Sequence, residues 1–376
     1  MGTPLQAGCQ SRCAVRNTGW LPDEFVARRG RAGYDGDVSG GYLSNIYQVA
    51  KRAAVSTATV SRVLSRPDVV SPETRRRVMD AVNLLGYAPN SAAKHLRTLR
   101  SGQLLVMVPD ISNPFFSLIL RGIEEAAREE GYAVLLGDTQ HDEEREERYA
   151  LMLKRKEADG LIFLGHRLPR TAAGLVRSSL PGCAPIVNGC EFSPTLGIPS
   201  VHIDNATAAS EAMDHLYELG HRRIGVVTGP LVSPLSRDRL EGATRRAQLQ
   251  GAQDEVFVAQ GDFTIESGSL AGDQLLDQPE PPTAIFCFND EMAIGVLGAA
   301  RRRNLRVPED LSLVGFDDVR YAAHTNPPLT TIAQPMQQIG ERTVRLLLDI
   351  LNGRTVAPVS VTLPHKLVVR SSTARV

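Results

Sequence analysis

The sequence predicts a small all-α helix-turn-helix domain followed by a two-lobed α/β core. Two short amphipathic helical patterns, separated by a tight turn, lie within residues 46–64. From residue 104 onward, short apolar runs alternate with amphipathic helical patterns, which indicates parallel sheets covered by helices on both faces. Because this series is too long for one lobe and restarts near residues 202–204, we expect two doubly wound lobes with a cleft between them.

The charge distribution is uneven, although the 376-residue chain has no net charge. Residues 41–103 carry ten Lys and Arg against three Asp and Glu, a net charge of +7. Residues 1–40 carry five basic and four acidic residues, or +1, so the remainder carries −8. A basic head on an acidic body is typical of a module that contacts nucleic-acid phosphates while the larger part stays away from them.

The cysteines and the apolar runs bear on location. The five cysteines are an odd number with no pairing pattern, which is typical of a reducing compartment. No histidine accompanies Cys9 and Cys13 in the first forty residues, so we expect no metal site, and nothing else in the sequence requires a cofactor. Without an eighteen-residue apolar run or a secretion signal, we expect a cytoplasmic protein that does not contact a membrane.

Four segments follow from these patterns. Residues 1–42 lack periodicity, so we expect a disordered extension or a start codon assigned too far upstream. Residues 43–88 form the helix-turn-helix domain, and residues 89–102 form a hinge and linker. Residues 103–373 form the two-lobed core.

The helix-turn-helix is predicted from two apolar faces that pack on each other. The faces carry Val49, Ala50 and Ala53 on the first helix, and Val60, Val63 and Leu64 on the second. Ser56 is in position to cap the second helix. The exposed face of that helix carries Thr57, Ala58, Ser61 and Arg62.

This exposed face suits a DNA groove. Arg62 has the planar fork that reads guanine, while Ala58 and the Thr57 methyl group fit against a thymine methyl group. An ordinary helical hairpin would show the same amphipathic pattern. The basic surroundings favour DNA binding over that alternative.

A third helix and a short polar segment follow. Ser71–Pro72 predicts the start of the helix and Gly86 its end. Residues 87–97 are too short and polar to form a stable helix alone. In a paired copy, Ala93 would face its twin and Leu96 would form a wedge for a minor groove. The alternative is a plain interdomain linker.

Polar and aromatic side chains gather in the loops after the predicted strands, and such loops meet at one edge of a parallel sheet. Aromatic rings with an arginine, an amide and carboxylates suit a ligand ring that carries hydroxyl groups. Taken singly, Phe116 and Phe263 are more typical of core residues, and Asp318 is more typical of a solvated turn. The predicted ligand site therefore depends on all of them lying at the same edge of the sheets. The loops are residues 113–116, 165–167, 234–237, 261–263, 289–290 and 315–318.

The sequence contains none of the motifs of common enzymes: no nucleophile elbow, phosphate-binding loop, zinc-protease motif or dinucleotide motif. A binding protein is therefore favoured over an enzyme that acts on a nucleoside or a sugar. A solute-binding protein that feeds a transporter would share the two-lobed core, but the basic head and the missing secretion signal argue against it.

From residue 44 to about residue 373, the chain resembles the lactose/galactose repressor family of bacterial transcription regulators. The motifs that carry the resemblance are residues 47–62, 86–90, 220–225, 307–312 and 327–332. The resemblance implies a homodimer whose two heads read a pseudo-palindromic operator DNA. It also implies a type I periplasmic-binding-protein-like core that binds a small-molecule effector.

The resemblance also implies roles for individual residues. The base-reading positions are Thr57, Ala58 and Arg62, and Leu96 is the minor-groove wedge. Further DNA-contacting positions are Tyr47, Ser56, Thr59, Ser61, Asn90 and Ala93. The effector positions are Phe115, Phe116, Arg237, Phe263, Asn289 and Asp317.

Several stretches are similar to a nucleoside-responsive branch of the family, which implies a nucleoside effector such as cytidine. They are residues 108–111, 114–117, 201–205, 261–264 and 281–287. The alternative is a regulator of sugar catabolism that responds to a sugar or a sugar phosphate. In the implied mechanism, paired hinge helices insert Leu96 and kink the DNA, and an effector that closes the cleft separates the hinges.

Overall fold

The computed structural model describes residues 44–88, 100–179, 184–252, 255–354 and 360–376. The chain separates into two compact units, with the division after Pro89. The expectations for residues 1–42 and for Asn90, Ala93 and Leu96 lie outside the described residues. They therefore stay predictions.

The N-terminal unit is a bundle of three helices. They are α1 (Ile46–Ala53), α2 (Thr57–Ser65) and α3 (Pro72–Leu85). Asn45 caps α1 in a reciprocal capping box with Gln48, and α1 ends at Ala54, whose φ is 50°. The Ser56 hydroxyl accepts a hydrogen bond from the Thr59 amide, which confirms the predicted cap of α2. The turn between α1 and α2 is therefore fixed on both sides by hydrogen bonds.

The core of this unit is the predicted one. Val49, Ala50 and Ala53 of α1 are buried against Val60 and Val63 of α2. The third helix adds two buried side chains, Val78 and Ala81. Small residues at the crossing let α1 and α2 approach closely, so a short sequence builds a complete core.

The first lobe of the C-terminal unit has a six-stranded parallel sheet in the order β11-β5-β4-β3-β1-β2. Its strands are β1 (Gln103–Val108), β2 (Ala133–Asp138), β3 (Gly160–Phe163), β4 (Ile186–Gly189), β5 (Ser200–Ile203) and β11 (Ser360–Leu363). Its helices are α4 (Pro114–Glu129), α5 (Glu143–Lys154), α6 (Arg170–Ser178) and α11 (Met336–Leu351).

The second lobe repeats this arrangement in the order β12-β10-β9-β8-β6-β7. Its strands are β6 (Ile224–Thr228), β7 (Val256–Gln260), β8 (Ala284–Cys287), β9 (Ser312–Asp317), β10 (Thr330–Ala333) and β12 (Lys366–Val368). Its helices are α7 (Asn205–Glu218), α8 (Pro234–Leu249), α9 (Ile265–Leu276) and α10 (Asp290–Arg302). All strand pairs are parallel except β12 with β10.

Alternate residues of the first sheet face opposite layers of helices. Val106 and Ile162 belong to the cluster that includes α4 and α11, while Leu105 and Leu161 belong to the cluster that includes α5 and α6. The strands are apolar throughout because both faces are covered, as the sequence predicted.

The chain crosses between the lobes three times: after β5, after β10, and between β11 and β12. The first crossing coincides with the restart predicted near residues 202–204. These results confirm the predicted α/β fold of two doubly wound lobes behind a helix-turn-helix. Among the described residues, no helix is long and apolar enough to cross a membrane.

Candidate functional site

The cleft of the C-terminal unit lies between the loops that follow the strands of both sheets and has a volume of about 200 Å³. The first lobe contributes residues such as Asp110, Phe115 and Glu191, and the second contributes residues such as Arg239 and Asp317. Because these loops follow the carboxyl ends of parallel strands, the cleft has the position expected for a ligand site in open α/β sheets.

The aromatic part of the cleft comes from both lobes. Phe115 and Phe116 are buried and meet edge to face, with their ring centroids 5.2 Å apart. Phe263 lies in the second lobe with a positive φ of 73°. Its ring fills the space beside Gly229, where a Cβ would lie 2.1 Å from the ring. Gly229 is therefore required for the observed position of Phe263.

Asn289 lines the cleft but also has a structural role. Its side-chain oxygen caps α10 by accepting a hydrogen bond from the Met292 amide, 2.9 Å away. Its side-chain nitrogen donates to the Phe263 carbonyl oxygen at 2.8 Å. The amide group thus ties the end of β8 to the Phe263 loop, and its second N–H donates no hydrogen bond within the described residues.

Arg239 is the buried cation of the cleft, and its side chain is 3% exposed. Nε donates to Asn205 Oδ1 at 2.8 Å, Nη1 donates to the Phe288 carbonyl oxygen, and Nη2 lies 4.0 Å from Asp317 Oδ1. The guanidinium group stacks on the Phe316 ring, with Cζ 3.6 Å from its centroid. Burial lowers the pKa of Arg239 to about 10, which the nearby carboxylates of Asp317 and Glu191 oppose.

Two carboxyl groups of the cleft are buried. Burial raises the pKa of Asp317 to about 7, although Arg239 and a hydrogen bond from Gln334 Nε2 at 2.7 Å act in the opposite direction. Burial also raises the pKa of Glu191 to about 7, against a hydrogen bond from the Ser233 hydroxyl and the charge of Arg239. Both groups therefore respond to small changes in their surroundings near neutral pH.

The structure corrects the predicted position of the cleft arginine. Phe115, Phe116, Phe263, Asn289 and Asp317 line the cleft as expected. Arg237 is exposed, is not among the residues that line the cleft, and donates to the carbonyl oxygens of Leu231 and Val232. Arg239 lies in the cleft instead.

The two arginines differ because α8 turns by about 200° between residues 237 and 239, so they project from nearly opposite faces. The buried face of α8 includes Ser236, Arg239 and Ala243, at a spacing of three and then four residues. That periodicity was available in the sequence and would have identified Arg239. Glu191 was also missed, although it follows the end of β4, where the strand-end rule applies.

In the N-terminal unit, the predicted contact residues lie on α1, at the N-cap of α2 and along α2. Tyr47 is 74% exposed, and Ala58 and Arg62 are also exposed. Thr57, Thr59 and Ser61 are partly buried, and the Ser56 and Thr59 hydroxyl groups are 3.0 Å apart within the cap. Ser56 and Thr59 thus hold the start of α2, while Arg62 extends from its exposed face.

The arginines at the start of α3 differ in whether their side chains contact the rest of the N-terminal unit. Arg75 Nη2 donates to the Pro67 carbonyl oxygen at 2.6 Å, which ties α3 to the segment after α2. Arg76 and Arg77 are exposed. Arg75 thus has a structural contact, and the other two are the candidates for phosphate contacts. Among the described residues, no cluster of three or more potential metal ligands occurs.

Comparisons with known proteins agree with this architecture. The family described as "Bacterial regulatory proteins, lacI family" matches residues 45–90, and the "Periplasmic binding protein-like domain" matches residues 213–373. The chain is 47% identical to the HTH-type transcriptional repressor CytR of Escherichia coli (strain K12), over 86% of this chain and 95% of that protein.

Two further relatives extend the comparison. The chain is 35% identical to the HTH-type transcriptional repressor PurR of Escherichia coli O139:H28, over 88% of this chain and 97% of that protein. A crystal structure of the lac repressor dimer bound to operator and the anti-inducer ONPF matches with a TM-score of 0.80 and 30% identity. That match covers 89% of this chain and all of the other.

A helix-turn-helix unit joined to a two-lobed core with a ligand cleft defines a DNA-binding regulator that a small molecule controls. The chain belongs to the lacI family of bacterial regulatory proteins. It is a transcriptional repressor with a cleft homologous to the effector sites of that family, and it is not an enzyme.

Proposed function

We propose that the protein binds a pseudo-palindromic operator as a homodimer and that a nucleoside such as cytidine, bound in the cleft, releases it from DNA. The observation that supports the effector class is the Arg239–Asp317 pair beside the aromatic rings of both lobes. Arginine and aspartate bind hydroxyl groups of a sugar, and aromatic rings stack on a planar base.

The pair has hydrogen-bonding capacity for a ligand. Arg239 Nε and one Nη1 hydrogen are used within the protein, which leaves hydrogens on Nη2 beside Asp317. Asp317 Oδ1 accepts from Gln334, and we propose that Oδ2 and Arg239 Nη2 bind the two vicinal hydroxyl groups of a ribose. Phe115, Phe116 and Phe263 would then surround the base.

Exposed apolar side chains on sheet edges support the homodimer. The edge strand β2 of the first lobe exposes Leu136 by 47%, and the edge strand β7 of the second exposes Val258 by 45%. An edge strand with exposed apolar side chains favours association with another chain. We propose that two copies pair through these edges, which would bring two heads to one operator.

The proposed DNA contacts use the first two helices and the hinge. Ala58, Thr57 and Arg62 would read bases, with Tyr47, Ser56, Thr59 and Ser61 close to the DNA. Residues 89–102 would form the hinge, in which Asn90, Ala93 and the Leu96 wedge contact the minor groove only while the two hinges are paired. Such a repressor acts where the DNA is, so we propose a cytoplasmic protein.

The effector class is tested by isothermal titration of the full chain with cytidine, adenosine, ribose and common hexoses. We expect saturable binding of at least one nucleoside, with ribose binding more weakly because it lacks the base. Binding of a hexose without binding of any nucleoside would instead support the regulator of sugar catabolism.

A further inference from the structure

Carboxyl groups far outnumber cations around the cleft. Arg239 is the arginine that lines it, and His141 is the other basic side chain among its described lining residues. The acidic residues that line the cleft are Asp110, Glu191, Asp262, Glu266, Glu291 and Asp317. A cleft with walls of one charge repels ligands of that charge. The lining therefore suits a neutral ligand rich in hydrogen-bond donors.

Glu191 differs from the other buried carboxyl group of the cleft. Asp317 faces Arg239 and also accepts a hydrogen bond from Gln334. Glu191 is 7% exposed and accepts one hydrogen bond, from the Ser233 hydroxyl to Oε2 at 3.2 Å. Within the described part of the chain, no hydrogen bond reaches its second oxygen, Oε1, and Glu191 forms no ion pair. Glu191 lines the cleft, so Oε1 is an acceptor that no donor of the described residues uses.

A carboxylate oxygen that no protein donor uses is available to a donor from a ligand. A ligand that brings a donor to Oε1 gains a charge-assisted hydrogen bond, whereas a ligand that brings an acceptor is repelled. Glu191 can therefore discriminate between such ligands.

We propose that Glu191 is a specificity-determining residue whose Oε1 accepts a hydrogen bond from an amino group on the effector's base, and that the acidic lining excludes phosphorylated ligands. This inference rests on the proposed nucleoside function. Cytosine and adenine carry an exocyclic amino group, which offers hydrogens to a carboxylate. Uracil has a carbonyl oxygen in that place, and two acceptors would then face each other.

The test is a titration of the full chain with cytidine, uridine and cytidine 5′-monophosphate at about pH 8, above the pKa of about 7 to which burial raises Glu191. We expect cytidine to bind at least about tenfold more tightly than uridine, as one charged hydrogen bond predicts. The monophosphate should also bind at least about tenfold more weakly than cytidine, because its two negative charges meet the carboxylates.

The Glu191→Gln variant separates recognition from charge. Glutamine keeps an acceptor for the Ser233 hydroxyl, so the fold is retained, and its amide can donate to uridine as well as accept from cytidine. The ratio of cytidine to uridine affinity should fall to about one. If Glu191 acted only through its charge, the variant would change the affinities for cytidine and uridine by the same factor, and their ratio would stay unchanged. Glu144→Gln, at an exposed residue of α5, is the matched control and should change no affinity.

The outcomes are distinct. Equal binding of cytidine and uridine by the unmodified protein, or an unchanged ratio in Glu191→Gln, overturns the assignment of Glu191 while the nucleoside function stands. Tight binding of the monophosphate overturns the exclusion of phosphorylated ligands. If no nucleoside binds at all, the proposed function fails and this inference fails with it.

Discussion

Arg239 connects three elements at the back of the cleft. It extends from α8, donates to Asn205 at the start of α7 and to the Phe288 carbonyl oxygen after β8, and faces Asp317 at the end of β9. A buried cation is hard to replace, because its removal leaves the facing carboxylate of Asp317 buried and unpaired.

Arg239→Ala and Arg237→Ala form a matched pair, two residues apart on one helix. We expect Arg239→Ala to lower the free energy of unfolding of the core by about 3–5 kcal/mol and to abolish effector binding. Arg237→Ala should lower it by less than about 1 kcal/mol, because its side chain is exposed. Urea unfolding followed by circular dichroism measures the free energy of unfolding of each variant. Equal destabilisation by the two variants would contradict the structural role of Arg239.

Glu191 gives the core a pH dependence of known sign. Burial raises its pKa from 4.5 to about 7. A carboxyl group with a raised folded-state pKa stabilises the fold below its unfolded pKa, and that contribution is lost as the pH rises through the folded value. When the pH is raised from about 5 to about 8, the free energy of unfolding should therefore decrease less in Glu191→Gln than in the unmodified protein. The expected difference between the two decreases is about 2–3 kcal/mol.

Urea unfolding at each pH measures this difference. Histidines whose pKa burial lowers, such as His221, contribute with the opposite sign, but they are common to both proteins and cancel in the comparison. Parallel pH profiles of the two proteins would show that Glu191 does not titrate as its burial requires.

For single residues, the sequence predicted the types of side chain in the cleft better than it predicted which residue supplies each of them. The aromatic, amide and carboxyl groups predicted for the cleft do line it, because strand-end loops meet wherever parallel sheets form. Arg237 was placed wrongly, since a motif carried over along the chain can shift by two residues, which reverses the face of a helix. Glu191 carries no local signature, and its burial depends on contacts with the second lobe such as Ser233.

Helix α4 positions the first-lobe part of the cleft, and it is held by a close crossing with α11. A Cβ on Gly122 would lie 2.1 Å from the Gln337 carbonyl oxygen, and a Cβ on Gly340 would lie 2.2 Å from the Ile119 carbonyl oxygen. Both helices thus approach through glycines, and the approach keeps Phe115 and Phe116 at the cleft.

Gly122→Ala should separate this crossing and lower the free energy of unfolding of the core by about 1–3 kcal/mol, as overpacking does. Gly174→Ala in α6 is the control, because a Cβ there meets nothing within 4 Å. It should raise stability by about 0.5–1 kcal/mol through lower flexibility of the unfolded chain. Thermal unfolding of both variants checks the prediction. A neutral Gly122→Ala would mean that the two helices can part without cost.

At the scale of elements, long amphipathic helices and fully apolar strands were predicted well. The sequence predicts helices at residues 115–130, 206–219, 266–277 and 290–303, and α4, α7, α9 and α10 match them within one residue at each end. The predicted helices at residues 142–157 and 237–250 differ from α5 and α8 by up to three residues at one end. Strands β5, β7 and β10 to β12 and helices α6 and α11 were not predicted. Three- and four-residue strands carry too little periodicity, and α11 follows the second crossing, where no pattern marks the return to the first lobe.

The three crossings between the lobes determine how the core can move. Each lobe has its own sheet and its own buried core, so we expect closure around a ligand to bend the crossing segments. A ligand that contacts both lobes shifts the core towards the closed arrangement. The size of the shift depends on how much more tightly the ligand binds the closed arrangement than the open one. In the proposed function, that coupling would convert cleft occupancy into loss of DNA binding.

Under the proposed function, nucleoside binding in the cleft lowers the affinity for operator DNA. Fluorescence anisotropy of a labelled DNA fragment, selected from a random pool by the full chain, measures it directly with and without saturating cytidine. We predict two chains per fragment and an apparent Kd about 5- to 150-fold higher with cytidine, the usual range for coupling between two sites. An unchanged Kd, with cytidine binding confirmed by titration of the same sample, would contradict the claim.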